Sequence, residues 1–304
     1  MTRDALLRTL AFHRTWGHAP TMPEWISTLD AGAGGMTGTP TIGDIGEGIT
    51  SLGREGLVVQ SDGRYAFASD GPASVARLRD RGIWAPRKRR AARKAARLLA
   101  RLGSVRFIAL CNTAALGHAR DDGDLDLFVV ARQGTAFATR LVAATVFEAL
   151  GRRPKPGHGR DAVCLSYYVT DDGLDLASHM LPGRDPYFRY WFLSFVPLVD
   201  DGIGTALWDA NAGITSRHPF ARRWMVPPDL RVGIPRARLP IPRFLEPTAS
   251  AISRRAFPGR IRRMMNADTR VMVSPTVLKF HVDDRREEYR ETYEGFCRSM
   301  NISI

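Results

Sequence analysis

Apolar positions in the first 70 residues recur at helical spacing in DALLRTLAFHRTW, in the short MPEWISTL, and in TIGDIGEGITSLGREG, where Ile42, Ile45, Ile49 and Leu52 share one face. Gly56 stops the third helix. LVVQSDGRYAF then alternates in twos around Asp62-Gly63, a dipeptide that favours a tight hairpin turn. RKRRAARKAARLLARLG reads as a further helix with a narrow stripe of Ala92, Ala95, Leu99 and Leu102, ended by Gly103. Next, VRFIALC is a continuous apolar run that suits a buried strand, and DLDLFVVA is a second one that opens with acids. The polar loop NTAALGHARDDG lies between them. TRLVAATVFEALG reads as a helix, and VCLSYYV, TDDG and LDLAS as strand, turn and strand. DPYFRYWFLSFVPLV reads as a buried aromatic helix, and HVDDRREEYRETYEGFCRSM as a closing one.

These patterns predict an α/β chain in three parts: three helices and a hairpin over residues 1–80, a small mixed sheet flanked by helices over 84–182, and a mainly helical, Arg/Pro-rich region over 183–304. No run approaches the roughly 18 uninterrupted apolar residues of a spanning helix, and MTRDALLRTLAFHRTW lacks the small-residue cleavage site of a signal peptide. The expectation is a cytoplasmic protein with no membrane partner. Cys111, Cys164 and Cys297 are odd in number and widely spaced without a CxxC pair, which argues against a disulfide framework or a zinc site.

The formal charge of +13 is carried almost wholly by arginine. Between Arg217 and Arg263 there are 12 arginines against Asp229 and Glu246, and between Arg87 and Arg101 eight basic residues and no acid. Both blocks suit a polyanionic partner such as RNA, DNA or a triphosphate, and both also suit a solvated helix face. Eight prolines interrupt the longer block.

The helix, helix, helix, hairpin order of residues 1–80 resembles a winged helix-turn-helix module. Such a module would place its third helix in a DNA major groove. Here Asp44, Glu47 and Glu55 outweigh Arg54, so phosphate would be repelled. Packing or self-association of the chain is the preferred role.

Asp124 and Asp126 are two apart on a predicted strand, so their carboxylates project from one face while Leu125 and Leu127 point into the core. Two carboxylates beside a glycine-containing loop suit Mg²⁺ held together with substrate phosphates. The run VRFIALCNTAALGHARDDGDLDLFVV resembles the core motif of the nucleotidyltransferase superfamily that includes DNA polymerase beta: a strand, a Gly-Ser turn opening a helix, about ten residues, then Asp-x-Asp on the next strand. VCLSYYV, DPYF, Pro197-Leu198 and LKFH resemble bacterial members that carry a winged N-terminal module.

The resemblance implies a Mg²⁺- or Mn²⁺-dependent enzyme that moves a nucleoside monophosphate from an NTP, such as ATP, to a hydroxyl acceptor. Asp124 and Asp126 would hold the metals, and a third carboxylate would follow on a later strand. Asp175 is the candidate because it alternates with Leu174 and Leu176; Asp171, Asp172 and Asp161 remain rivals. Asn112-Thr113 stands where the family has Gly-Ser. Asn tolerates positive φ, and Thr113 keeps a hydroxyl for a phosphate oxygen, so both would bind nucleotide. Lys279 would be a triphosphate ligand. The altered turn also leaves open a catalytically inactive member that binds nucleotide or serves regulation and assembly.

Overall fold

Three helices, Thr2–Thr15, Met22–Ser27 and Ile42–Arg54, lead into a hairpin of β1 (Val58–Ser61) and β2 (Arg64–Phe67) in the computed structural model, which describes residues 2–32, 40–155, 157 and 159–304. Asp62 and Gly63 both take positive φ, 49° and 71°, as the two central residues of a tight hairpin turn require. Thr21 and Thr41 open the second and third helices with capping boxes closed by Glu24 and Asp44. Ile45, Ile49 and Leu52 are buried, whereas Ile42, the first residue after its cap, is 66% exposed. Glu55 pairs with Arg3 at 2.9 Å. Two of the third helix's acids therefore serve the local structure. The apolar face of this module is covered within the chain: Phe12 stacks on Tyr190 with ring centroids 4.0 Å apart, and Tyr293, Cys297 and Ile302 join the same cluster.

The remaining strands are β3 (Val105–Leu110), β4 (Leu125–Ala131), β5 (Val163–Thr170), β6 (Val196–Asp200), β7 (Val271–Val273) and β8 (Val277–Phe280). They form one mixed sheet in the order β6-β3-β4-β5-β8-β7. Only β4 and β5 run parallel, and the helix Ala136–Ala149 makes the crossover that a parallel pair requires. Leu125, Leu127 and Val129 pack on one face with residues of the helices Ala85–Leu99 and Ala136–Ala149, and Phe128 and Val130 on the other with the aromatic helix Pro186–Leu193. Burial on both faces explains why β3 and β4 read as unbroken apolar runs.

Two regions differ from the sequence pattern. LDLAS forms no strand. Instead the Asn211 side chain accepts from the Leu176 amide at 2.9 Å and donates to the Leu174 carbonyl at 2.8 Å, satisfying backbone groups that a partner strand would otherwise satisfy. The C-terminal third holds more helix than strand, and it also supplies β6, β7 and β8, three of the six strands of this sheet. Pro197 is tolerated in β6 because that strand lies at the sheet edge. β7 and β8, at three and four residues, are too short for a period of two to register. Among the described residues, no helix is long and apolar enough to cross a membrane.

Candidate active site

The site begins where β3 ends. Asn112 takes φ of 57° and opens the short helix Asn112–Ala115, so the polar turn between the two central strands forms with asparagine in the left-handed conformation. Its side-chain amide donates to Asp126 Oδ2 at 2.7 Å, and its carbonyl oxygen accepts from the Tyr187 hydroxyl at 3.0 Å. Asn112 thereby orients Asp126. Thr113, next in the turn, is half-buried and does not line the cleft.

Parallel pairing sets Cys164 of β5 opposite Asp126 of β4. Ligand atoms of Asp124, Asp126 and Cys164 all lie within 4.8 Å of one another. Burial raises both carboxyls above the usual range, and the Asp126 charge adds to the rise at Asp124, which reaches about 6. Burial and the two neighbouring carboxylates push the Cys164 thiol well up, so it is neutral at pH 7. In metal-free protein, Asp124→Asn removes a charge that burial and Asp126 disfavour. A melting temperature about 2–4 °C higher than wild type in chelator at pH 8 is expected, from about 1 kcal/mol of relief; a lower one would contradict this account.

The loop that delivers Asp124 is clamped from behind. Lys88, 0% exposed on the helix Ala85–Leu99, pairs with Asp161 at 3.0 Å and donates to the carbonyls of Asp121 (3.1 Å) and Gly123. Arg87 pairs with Asp161 at 3.0 Å and also with Asp121. The first two cations of the basic run from Arg87 to Arg101 thus hold this loop. Removing Lys88 leaves the largely buried Asp161 with Arg87 as its one remaining cation and two carbonyls short of a donor. Lys88→Met is expected to cost about 3–5 kcal/mol in urea unfolding, as loss of one partner from a buried pair does. A change below about 1 kcal/mol, the worth of a surface pair, would contradict the clamp.

The two aspartates share a cleft of about 520 Å³ with Tyr187, Lys279, His281, Asp283, Asp284, Arg285, Arg286 and Tyr289. Tyr187 and Tyr289 stack with ring centroids 5.0 Å apart, and the Arg285 guanidinium lies over Tyr289 at 5.4 Å. Arg286 is buried and binds Asp185 at 2.9 Å and Asp284 at 2.8 Å. Lys279 is 0% exposed and donates to the carbonyls of Thr269 at 2.6 Å and His179 at 3.3 Å. Burial first, and Arg286 second, lower its ammonium to about 7.

Asn112, Asp124, Asp126 and Lys279 are therefore brought together in one cleft. Asp175 is not: it is exposed on the coil after β5, with its carboxylate accepting from the Ala177 amide at 2.9 Å. Asp161 is held by Arg87 and Lys88, Asp171 by Arg106 at 3.1 Å and the Gln133 amide at 2.7 Å, and Asp172 is exposed. No protein-family model, curated protein or solved structure matches the chain.

Two carboxylates with Asn112 fixing one of them fit a divalent cation that keeps open positions for substrate phosphates. A neutral thiol in the third position is a poor ligand for Mg²⁺ and a better one for softer ions. The donor set thus fits one hard cation more readily than two.

Proposed function

We propose that this chain is a nucleotidyltransferase that uses Mg²⁺ or Mn²⁺ to move a nucleoside monophosphate from an NTP to a hydroxyl acceptor. The supporting observation is the Asp124/Asp126 pair at the start of β4, set beside a positive-φ turn in a cleft that also holds the stacked Tyr187 and Tyr289 rings. Asp124 and Asp126 would hold the cation, which would offset charge on the phosphates of the leaving pyrophosphate. Asn112 keeps Asp126 in one orientation. The Tyr187 and Tyr289 rings offer a surface for a nucleobase, and Arg285, 61% exposed but already paired with Glu288 at 2.7 Å, would reach the phosphate chain only by exchanging that partner. Lys279, 0% exposed and already donating to the Thr269 and His179 carbonyls, is not an accessible cation for the phosphates.

A second reading, that the domain binds nucleotide without turnover and serves regulation or assembly, is favoured by one observation. Cys164 stands beside Asp126 where a third carboxylate would complete a two-metal site. Calorimetric titration with each NTP is expected to show binding with Mg²⁺ and much weaker binding in chelator; no binding of any NTP would remove the enzymatic reading and leave only a regulatory or assembly role.

A polyanionic acceptor such as RNA is supported by the surroundings of the cleft. Asp283 on its wall pairs at 2.7 Å with Arg260 of the helix Gly259–Met264, and Arg254, Arg255, Arg262 and Arg263 are exposed on that helix and the preceding Glu246–Ala256. Reversing these four to glutamate is expected to reduce the slope of log affinity for single-stranded RNA against log salt by about 3. An unchanged slope would assign them to a merely solvated surface.

A further inference from the structure

A second cavity, of about 360 Å³, lies wholly outside the cleft, between the end of the helix Thr2–Thr15, β2 and the helix Gly71–Gly82. That volume suits a small molecule, within the range of about 300–1,000 Å³ typical of ligand pockets. Leu10, Phe67 and Leu78 give it an apolar floor. Its charged lining is Arg14, Arg77 and Arg81 against Asp70. Arg14 is committed to Asp70 at 2.9 Å, while Arg77 and Arg81 are exposed and, among the described residues, make no ion pair. Two positive charges are thus left at the mouth.

The inner wall carries the observation that points to a ligand. His18 is 4% exposed; its Nδ1 makes no hydrogen bond, and its Nε2 has only one long carboxylate contact. Its Nε2 lies 3.4 Å from a Glu24 carboxylate oxygen that already accepts from the Thr21 amide at 2.7 Å. Buried polar atoms are satisfied in the great majority of cases, and an unmatched one costs about 1–3 kcal/mol. The imidazole is also fixed in place, stacked on His118 with ring centroids 5.1 Å apart. A ligand atom in the cavity would give it a partner.

We infer that this cavity binds a small organic anion, an apolar body bearing a phosphate or carboxylate head. The head meets Arg77 and Arg81, the His18 ring supplies a hydrogen bond, and the body lies on Leu10, Phe67 and Leu78. Because His118 sits in the loop that runs from the Asn112 turn to Asp124, occupancy is sensed at the root of the cleft as well. The inference does not depend on the chemistry performed in the cleft.

The test titrates the full chain with phenyl phosphate and with benzoate, measuring affinity by calorimetry and the imidazole signals of His18 and His118 by NMR. At least one probe is expected to bind with a dissociation constant of about 1 mM or below and to shift both rings. An Arg77→Glu/Arg81→Glu variant, altered only at exposed residues, should bind about tenfold more weakly or worse, and Asp126→Asn should bind as wild type does. Binding of phenyl phosphate alone identifies a phosphate head, and of benzoate alone a carboxylate. Failure of both probes, binding that survives the double variant, or binding lost in Asp126→Asn overturns the inference.

Discussion

Asp126→Asn is expected to lower nucleotide transfer by about three orders of magnitude while the chain stays folded, the equivalent of about 4 kcal/mol of lost transition-state stabilisation. The substitution keeps a side-chain oxygen that can accept from the Asn112 amide, now 2.7 Å from Asp126 Oδ2, so the turn and β4 retain their connection. What it removes is one of two charges able to hold a divalent cation against substrate phosphates. Asp175→Asn is the informative contrast. That carboxylate is exposed outside the cleft, so turnover should stay within about twofold, as surface changes remote from a site do. Steady-state assays of the two variants side by side check both statements; equal activity in Asp126→Asn and wild type would contradict the first.

Loss of the fold in mild acid is the second large effect expected. Burial is the first cause of a lowered imidazole pKa at His13, His118, His179 and His218, reaching about 3 at His118 and about 4 at His179 and His218. A folded-state value below the unfolded 6.5 means that these rings favour the folded chain fully only above that pH. The contribution is lost as pH falls from 6.5 towards about 4, because the unfolded chain then takes up protons that the folded chain refuses. At about pH 5 each ring forfeits about 2 kcal/mol, and four together approach the 5–15 kcal/mol that holds a typical domain. Lowered carboxyls such as Asp30 and Asp284 act in the same direction but below their ordinary value of 3.8, so the histidine window comes first. Thermal melts at about pH 8, 6.5 and 5 should show a small change across the first interval and a collapse across the second. A melting temperature that is flat down to about pH 5 would contradict the burial of these rings.

The parts legible in the sequence were those whose information is local. Periods of two and 3.6 placed the hairpin, the helices of the first 70 residues and the buried strands β3 and β4, because each pattern repeats within one element. Asp124 and Asp126 were legible for the same reason: two residues two apart where a strand begins share a face whatever lies around them. Asn112 was singled out for its tolerance of positive φ in a nucleotide-binding turn, but its partners, Asp126 and Tyr187, lie 14 and 75 residues away, and so its role as an orienting group was hidden. Cys164 depends on a parallel register that no local pattern specifies. Its signal was present but faint, since Cys164 and Ser166 alternate with buried Val163 and Leu165 as the polar face of a strand would. Lys88 looked like one more charge in a basic run. Only the return of Asp161 beneath the helix shows it to be a buried clamp. Asp175 misled because alternation with Leu174 and Leu176 imitates a strand in a segment whose backbone is satisfied by Asn211.

The nucleotidyltransferase reading is tested most directly by label transfer. Purified chain is incubated with each α-labelled NTP, Mg²⁺ and a cell extract, in parallel with Asp126→Asn protein and with excess chelator. The expected result is label from at least one NTP joined covalently to a macromolecule or metabolite, present with wild-type protein and Mg²⁺ and lost in both parallel reactions. Label that persists with Asp126→Asn or in chelator, or no label from any NTP in a preparation that binds nucleotide, would contradict catalysis by this cleft.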